Sequence, residues 1–143
     1  MKFTLNLTTD REEEVIIYAK EKSKLVFEIE ELVTNESIDI IGYNEVSKMK
    51  LNPSQIYSIT VEDKKIFAYL DKEKLQIKKR LYELEEILGK GFVKINQSCL
   101  VNISKIERFD ASFAGAMMVT LKNGYKDYVS RRQLRIVKER IGF

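Results

Sequence analysis

From residue 38 onward the chain consists mainly of short apolar runs separated by turn-forming residues, and this pattern permits few folds. Each run is four to six residues long and rich in β-branched side chains, as expected of strands. Polar breaks such as Asn52-Pro53-Ser54 separate the runs. The pattern predicts a mostly β chain with minor α (α+β). The predicted strands are 38–43, 46–51, 56–61, 66–70, 75–79, 92–95, 100–103, 117–121 and 125–129.

Two segments and one turn within this region carry other signals. Residues 81–88 place their apolar residues on one helical face and are followed by Gly89, a favoured C-cap. A second helix is predicted to begin at Ser130, because Ser130 and Gln133 have the spacing of a capping box. The dipeptide Asn123-Gly124 stands between two strand-like runs and predicts a hairpin.

The front of the chain predicts a small separate unit. Residues 2–7 alternate apolar and polar side chains, and residues 15–19 form a short apolar run, so both are predicted as strands. Apolar residues between 25 and 33 recur at helical spacing, which predicts a helix from about Ser23 to Asn35. We therefore expect a strand-strand-helix extension over residues 1–50, ahead of a domain over residues 51–143.

The composition removes several classes of function. The 143 residues include no histidine and one cysteine, Cys99. Histidine-based catalytic triads, histidine-ligated metals, disulfides within the chain and thiolate metal clusters are therefore excluded. No phosphate-binding glycine loop occurs, and no apolar run is long enough for a membrane span or a signal peptide. We expect a cytoplasmic protein with no catalytic residues, no metal and no cofactor, in which Cys99 is a buried structural thiol.

The net charge of +3 hides an uneven distribution. Residues 1–55 contain 7 basic and 11 acidic side chains, whereas residues 56–143 contain 18 basic and 11 acidic ones. A basic region of this kind favours an anionic partner, with nucleic acid the leading candidate. The charge alone leaves open that the lysines form only a solvated surface.

Two adjacent arginines stand where the helix after Ser130 is predicted to begin. Arg131 and Arg132 would lie in its first turn, with Arg135 one turn further on. Cations are unfavourable at a helix N-terminus by roughly 0.3–1 kcal/mol each. Free N–H groups together with guanidinium groups form a phosphate-binding site, so the pattern indicates phosphate or base contact.

Residues 56–143 resemble the LytTR DNA-binding domain of bacterial transcription regulators. Residues 1–55 resemble the short extension of stand-alone members of that family, which have no receiver domain. The resemblance implies an elongated sandwich of small antiparallel sheets whose loops enter successive major grooves of DNA. The matching blocks are IYSI (56–59), LYELEEIL (81–88), FVKINQS (92–98), LVNISKI (100–106), LKNG (121–124) and VSRR (129–132).

The resemblance also implies roles for individual side chains. Asn102, in the Leu-Val-Asn block, would be a structural turn residue. The implied base-contacting residues are Lys64, Asn96, Gln97 and Arg132. The implied phosphate neighbours are Lys94, Ser98 and Arg131. Lys65, beside Lys64, and Arg135, one turn into the predicted helix, are added as expected phosphate contacts because of their positive charge.

The function hypothesis is therefore a sequence-specific, double-stranded DNA-binding transcriptional regulator without catalytic activity. The acidic front segment is expected to pair with its copy in a homodimer on repeated half-sites or to receive a regulatory input, since it cannot help to hold DNA. Packing of this segment on the DNA-binding domain remains an alternative. Two rival functions stay open: a protein-interaction module whose basic face binds an acidic partner, and an RNA-binding protein. Scattered aromatic residues disfavour RNA binding.

Overall fold

The computed structural model describes residues 2–12, 14–34, 39–111 and 115–142. The chain divides into two compact units, residues 1–38 and residues 39–143. In chain order the elements are α1 (Lys24–Thr34), β1 (Ile40–Tyr43), β2 (Lys48–Leu51), β3 (Ser58–Glu62), β4 (Lys65–Tyr69), β5 (Lys74–Ile77), α2 (Leu81–Leu88), β6 (Phe92–Asn96), β7 (Cys99–Asn102), β8 (Ile106–Ala111), β9 (Met117–Leu121), β10 (Lys126–Val129) and α3 (Arg131–Ile141). None of the helices in these ranges is long and apolar enough to cross a membrane.

The larger unit is built on two antiparallel sheets. One sheet has seven strands in the order β2-β1-β5-β4-β3-β7-β6, and the other has three in the order β10-β9-β8. Every pair of neighbouring strands is antiparallel. The predicted fold class, mostly antiparallel β with minor α, is confirmed.

Strands β6 and β7 have a hydrophobic core on each of their faces. Successive side chains of a strand point to opposite faces, so Leu100 joins one core with Leu84 of α2, while Val101 joins the other with Val137 of α3. The second core also contains residues of β9 and β10, so the two sheets pack together there. This arrangement explains why β7 is an uninterrupted apolar run instead of an alternating one.

Cys99 lies in the second core, and its side chain is fully buried. Burial raises the pKa of its thiol well above the ordinary value, and the nearby carboxylate of Asp127 raises that pKa further. The thiolate form is therefore disfavoured, which fits the predicted structural role of this side chain.

The predicted N-cap of α3 and the predicted hairpin form, but the return bond of the capping box does not, because the Ser130 N–H donates to the Ile95 carbonyl instead of to the Gln133 side chain. The Ser130 hydroxyl accepts a hydrogen bond from the Gln133 backbone N–H at 3.3 Å and caps α3. The Asn123 side chain accepts one from the Tyr125 N–H at 3.1 Å, and Gly124 takes a φ of +87° between β9 and β10. Such a φ favours glycine because it has no Cβ.

Strand β8 is absent from the predictions because its sequence does not alternate. The pairing of β8 with β9 shifts register between Ile106 and Arg108. A β-bulge of this kind places one extra residue in one strand and interrupts the two-residue period of its side chains. The apolar residues Ile106 and Phe109 are consequently three positions apart.

The two strands predicted near the N-terminus are wrong. Residues 2–12 and 14–23 form neither helix nor strand, and apolar side chains such as Phe3 and Leu7 are 86% and 89% exposed. Alternation shows that a segment could bury one face, but a strand also needs a partner for its backbone N–H and C=O groups. The helix is present as α1, with the Ser23 hydroxyl accepting a bond from Val26 N–H at 3.4 Å. The predicted last residue of this helix, Asn35, and the predicted first residue of the next strand, Ile38, lie outside the described residues.

The division between the units comes earlier than the boundary predicted after residue 50. Strand β1 pairs with both β2 and β5, so residues 40–51 belong to the seven-stranded sheet. Gly42 lies at a tight point of this pairing, since a Cβ there would stand 2.8 Å from Cδ1 of Leu51. That Cβ would also stand 3.0 Å from Cβ of Leu75, so a larger residue would force these core side chains of β2 and β5 to shift.

Candidate nucleic-acid interface

Backbone hydrogen bonds bring three of the predicted contact segments to one end of the seven-stranded sheet. The turn after β3 and the turn before β7 lie at the same end, because β3 and β7 are antiparallel neighbours. The Val61 N–H donates to the Ser98 carbonyl at 2.8 Å, and the Ser130 N–H donates to the Ile95 carbonyl, also at 2.8 Å. We call this end the basic edge: the β3–β4 turn (63–64), the β6–β7 turn (97–98) and the first turn of α3.

The β3–β4 turn holds its two residues in an uncommon conformation. Asp63 and Lys64 have φ values of +49° and +65°, the signs found in the tight two-residue turns that match the twist of a hairpin. The left-handed region costs a residue other than glycine about 1 kcal/mol or more. Lys64 and its neighbour Lys65 are exposed, and neither side chain has a hydrogen-bond or ion-pair partner among the described residues. Asp63 is exposed in the same turn, so the segment projects two cations and one carboxylate into solvent, with a net positive charge.

A nearby carboxylate has its own partners. Glu62, the last residue of β3, accepts hydrogen bonds from Thr60 Oγ1 at 2.8 Å, Tyr69 Oη at 2.9 Å and Lys74 Nζ at 3.0 Å. Partial burial works to raise the pKa of Glu62, but these three hydrogen bonds outweigh it and hold the pKa below its usual value. Because Lys74 compensates the Glu62 charge, Asp63 is the one carboxylate within residues 62–65 left to offset Lys64 and Lys65, and the turn keeps a net positive charge.

In the β6–β7 turn, two neighbouring amide side chains have different surroundings. Gln97 is exposed at the tip of the turn. Asn96 is 3% exposed, and its Nδ2 donates to Asp127 Oδ1 at 3.2 Å and to the Tyr128 carbonyl at 2.9 Å. Its Oδ1 accepts from the Ser98 N–H at 2.9 Å. The Asn96 amide is thus engaged on both sides within the protein, whereas the Gln97 amide faces solvent.

The start of α3 presents the predicted arginines to solvent. Arg131 and Arg132 are exposed, and within the described ranges neither has an ion-pair partner. Arg135 is exposed too, with its Nε 3.2 Å from Glu139 Oε1, an exposed pair that contributes little to stability. A surface depression of about 410 Å³ runs along this part of the helix. Its lining residues are Arg131, Leu134, Arg135, Lys138 and Glu139.

The remaining predicted contacts lie beside the basic edge. Lys94 is half-buried on β6, opposite Leu100 of β7, and its ammonium group has no ion-pair partner in the part of the chain that the structure describes. Ser98 is exposed, and its backbone carbonyl holds the turn to β3. Both residues can therefore approach a ligand that lies along the basic edge.

Asn102 is a structural turn residue, as expected. It is 5% exposed, and its Nδ2 donates to the Ile56 carbonyl at 2.9 Å. Its Oδ1 accepts from the backbone N–H of Ser104 at 3.1 Å and from the Ser104 hydroxyl at 2.8 Å. These bonds hold the loop before β3 against the end of β7.

Sequence reasoning missed three residues next to the basic edge. Asp127 accepts from Asn96 and from the Tyr125 hydroxyl, the latter at 2.9 Å, and Tyr128 is 51% exposed beside them. Asn96 and Asp127 are 31 positions apart in the chain. No local sequence pattern relates residues at that separation, so only the fold reveals the contact.

Comparison with known proteins gives consistent results. The family model of the LytTr DNA-binding domain matches residues 47–142. A HTH-type transcriptional regulator of Staphylococcus aureus strain NCTC 8325 is 31% identical over 99% of this chain and 98% of its own. Another, from S. aureus strain MSSA476, is 33% identical over 75% of this chain and 73% of its own. In the part of this chain that the structure describes, no two α-helices follow one another directly.

Among solved structures, a LytTr DNA-binding domain from Bacillus cereus superimposes with a TM-score of 0.69. The match covers 73% of this chain and 97% of that domain at 20% identity. At this identity the likeness concerns the fold alone, and it agrees with the two-sheet architecture described above.

Proposed function

Because this chain belongs to the LytTR DNA-binding domain family, we propose that it is a bacterial transcriptional regulator that binds a specific double-stranded DNA sequence through the basic edge. The observation that carries the proposal is the meeting, at one end of the seven-stranded sheet, of two exposed basic segments, 64–65 and 131–132, with the exposed amide of Gln97. Site-specific binding needs this combination, since cations hold the phosphates and amide or guanidinium groups read base edges. The proposal includes no catalytic step and no cofactor.

We assign base contact to Lys64, Gln97 and Arg132, one from each segment of the basic edge. All three are exposed at turns or at a helix start, where their side chains can enter the major groove. Arginine recognises guanine and glutamine recognises adenine through paired hydrogen bonds. Asn96, which the family resemblance also implied, is excluded from this assignment because its amide is used within the protein.

We assign phosphate contact to the residues that flank these three. Arg131 adds its guanidinium group to the free N–H groups of the α3 N-terminus, a combination that favours a phosphate. Arg135 lines the depression along the same helix and can exchange Glu139 for a phosphate at little cost, because the pair is exposed. The complete set is Lys65, Lys94, Ser98, Arg131 and Arg135.

We further propose that the protein acts as a homodimer on repeated half-sites, with self-association by the segment that precedes the sheet. The apolar stripe of α1 includes Leu25, Leu32 and Val33, which are 45%, 79% and 53% exposed. An exposed apolar helix face is typical of a surface that binds another protein. The acidic charge of this segment disfavours contact with DNA, so we assign it to self-association or regulation and not to the DNA interface.

We place the protein in the cytoplasm. Its one thiol is free and buried, which suits a reducing compartment, and the proposed ligand is chromosomal DNA.

Selection of bound duplexes from a randomised pool at about 150 mM salt tests the proposal. We expect an enriched motif that is present twice, with its copies separated by about one helical turn or a multiple of it. A pool that stays random would contradict the proposal. So would equal competition by single-stranded RNA or by polyglutamate, which would favour an RNA-binding protein or a module for acidic partners. Enrichment of a single half-site would contradict only the dimer.

A further inference from the structure

We infer that Asn96 and Asp127 form a bridge that positions the β6–β7 turn against the start of α3, so that base discrimination by Gln97 depends on two residues that do not contact DNA. The inference rests on the proposed function and deepens it. It assigns sequence specificity to a contact inside the protein, and it gives Asn96 a role other than base contact.

The Asn96 half of the bridge ties the turn together and connects it to β10. Its Oδ1 accepts the Ser98 N–H at 2.9 Å across Gln97, which closes the turn. Its Nδ2 reaches Asp127 Oδ1 at 3.2 Å and the Tyr128 carbonyl at 2.9 Å. Since the side chain is 3% exposed, these bonds are shielded from competing water.

The Asp127 half of the bridge is itself held from two further sides. Its Oδ2 accepts the Tyr125 hydroxyl at 2.9 Å, and its Oδ1 accepts the Tyr128 N–H at 2.8 Å. The Tyr125 ring stacks on Tyr69 with centroids 5.2 Å apart. Asp127 is therefore a fixed anchor point, three residues before the Ser130 cap of α3.

Specificity needs this anchor because paired hydrogen bonds to a base tolerate little displacement, on the order of 0.5 Å. The β6–β7 turn contains two residues. Apart from the Asn96 bonds, the hydrogen bond that holds this turn in the described structure runs from the Val61 N–H to the Ser98 carbonyl. That bond fixes one side of the turn only. The start of α3 has separate support, through Ser130 to Ile95 and through Val137 in the core. Loss of the bridge should therefore misplace Gln97 and leave Arg132 in position.

The test uses Asn96→Ser, Asp127→Ala and Asp127→Asn in the full chain. Serine at 96 keeps an oxygen for the Ser98 N–H but is too short to reach Asp127. Asparagine at 127 is the matched control, because its oxygen can accept from Asn96 while its NH₂ donates to Tyr125. Affinity is measured for the selected duplex, for its single base-pair variants and for random DNA. Gln97→Ala identifies the base pairs that Gln97 reads.

In the wild type, a wrong base at a Gln97-dependent pair should weaken binding about 5- to 150-fold. In Asn96→Ser this penalty should fall to roughly twofold. In Asp127→Ala, which keeps the Asn96 bond to the Tyr128 carbonyl, it should fall part of the way, and in both variants the penalties at Arg132-dependent pairs should persist. In Asn96→Ser, random-DNA affinity and the salt dependence should change little, because the cationic phosphate contacts remain. In Asp127→Ala, as in Asp127→Asn, loss of the negative charge should strengthen binding of specific and random DNA about equally. Asp127→Asn should keep the wild-type pattern, and any gain from its lost negative charge should be equal on both DNAs.

Full discrimination in both bridge variants would overturn the inference and leave the proposed function intact. If both variants lose affinity for random DNA as well as discrimination between bases, the inference is also overturned. The bridge would then support folding of the protein and not base recognition. A wild-type protein that enriches no duplex would instead contradict the proposed function itself.

Discussion

Raising the salt concentration from about 50 to about 200 mM is expected to weaken binding of each protomer to the selected duplex about a hundredfold. Each cation placed on a phosphate releases a counterion from DNA, so the affinity falls linearly in log[salt] with a slope near −0.9 per phosphate. Each protomer supplies four cations assigned to phosphates, Lys65, Lys94, Arg131 and Arg135, for which the slope is about −3.6. Fluorescence anisotropy with a labelled duplex measures it directly.

Two lysine variants make the salt experiment specific to the proposed surface. Lys94→Ala should reduce the slope by about one and weaken specific and random DNA about equally. Lys48→Ala is the matched control, because Lys48 is an exposed lysine on β2, at the opposite side of the seven-stranded sheet. A flat salt response, or equal slope changes in the two variants, would contradict phosphate binding at the basic edge.

Leu100→Ala is expected to lower the free energy of unfolding by about 2–5 kcal/mol. Leu100 is fully buried on β7, paired with Ile59 of β3 and Lys94 of β6. The substitution leaves a cavity in the core under α2, which the strand cannot close because its other face packs on the second core. Since β7 begins at the recognition turn, destabilisation of this strand should also lower the amount of binding-competent protein.

Urea unfolding followed by circular dichroism measures this cost. Val46→Ala is the control, since Val46 is 93% exposed in the same unit, and its change should stay within about 0.5 kcal/mol. An effect of Leu100→Ala as small as that of the control would show that β7 does not separate two packed cores.

The sequence predicted the larger unit well for those elements whose formation depends on residues close together in the chain. The Ser130 cap, the Asn123-Gly124 hairpin and the uninterrupted apolar run of β7 each depend on neighbouring residues. The predictions failed where a partner decides the outcome. Residues 2–7 alternate like a strand but have no neighbouring strand in the described structure, and β8 pairs through a bulge that its sequence does not reveal.

The same distinction applies to the interface. Sequence and family resemblance pointed to the three segments, and the hydrogen bonds of the fold place those segments together. They could not distinguish Asn96 from Gln97, because adjacent amides look alike until one of them is buried against Asp127. Long-range contacts of this kind decide which side chain is available to a ligand and which one holds the turn.

The central claim, that the basic edge reads base sequence, is tested most directly by comparing Arg132→Ala with Arg131→Ala. The two arginines are adjacent, equally charged and exposed in the first turn of α3, so loss of charge and of helix propensity is matched between the two variants. Arg132→Ala should cost about 1–3 kcal/mol on the selected duplex and far less on random DNA. Arg131→Ala should weaken both DNAs about equally. Equal losses on both DNAs for Arg132→Ala as well would contradict base reading at this edge.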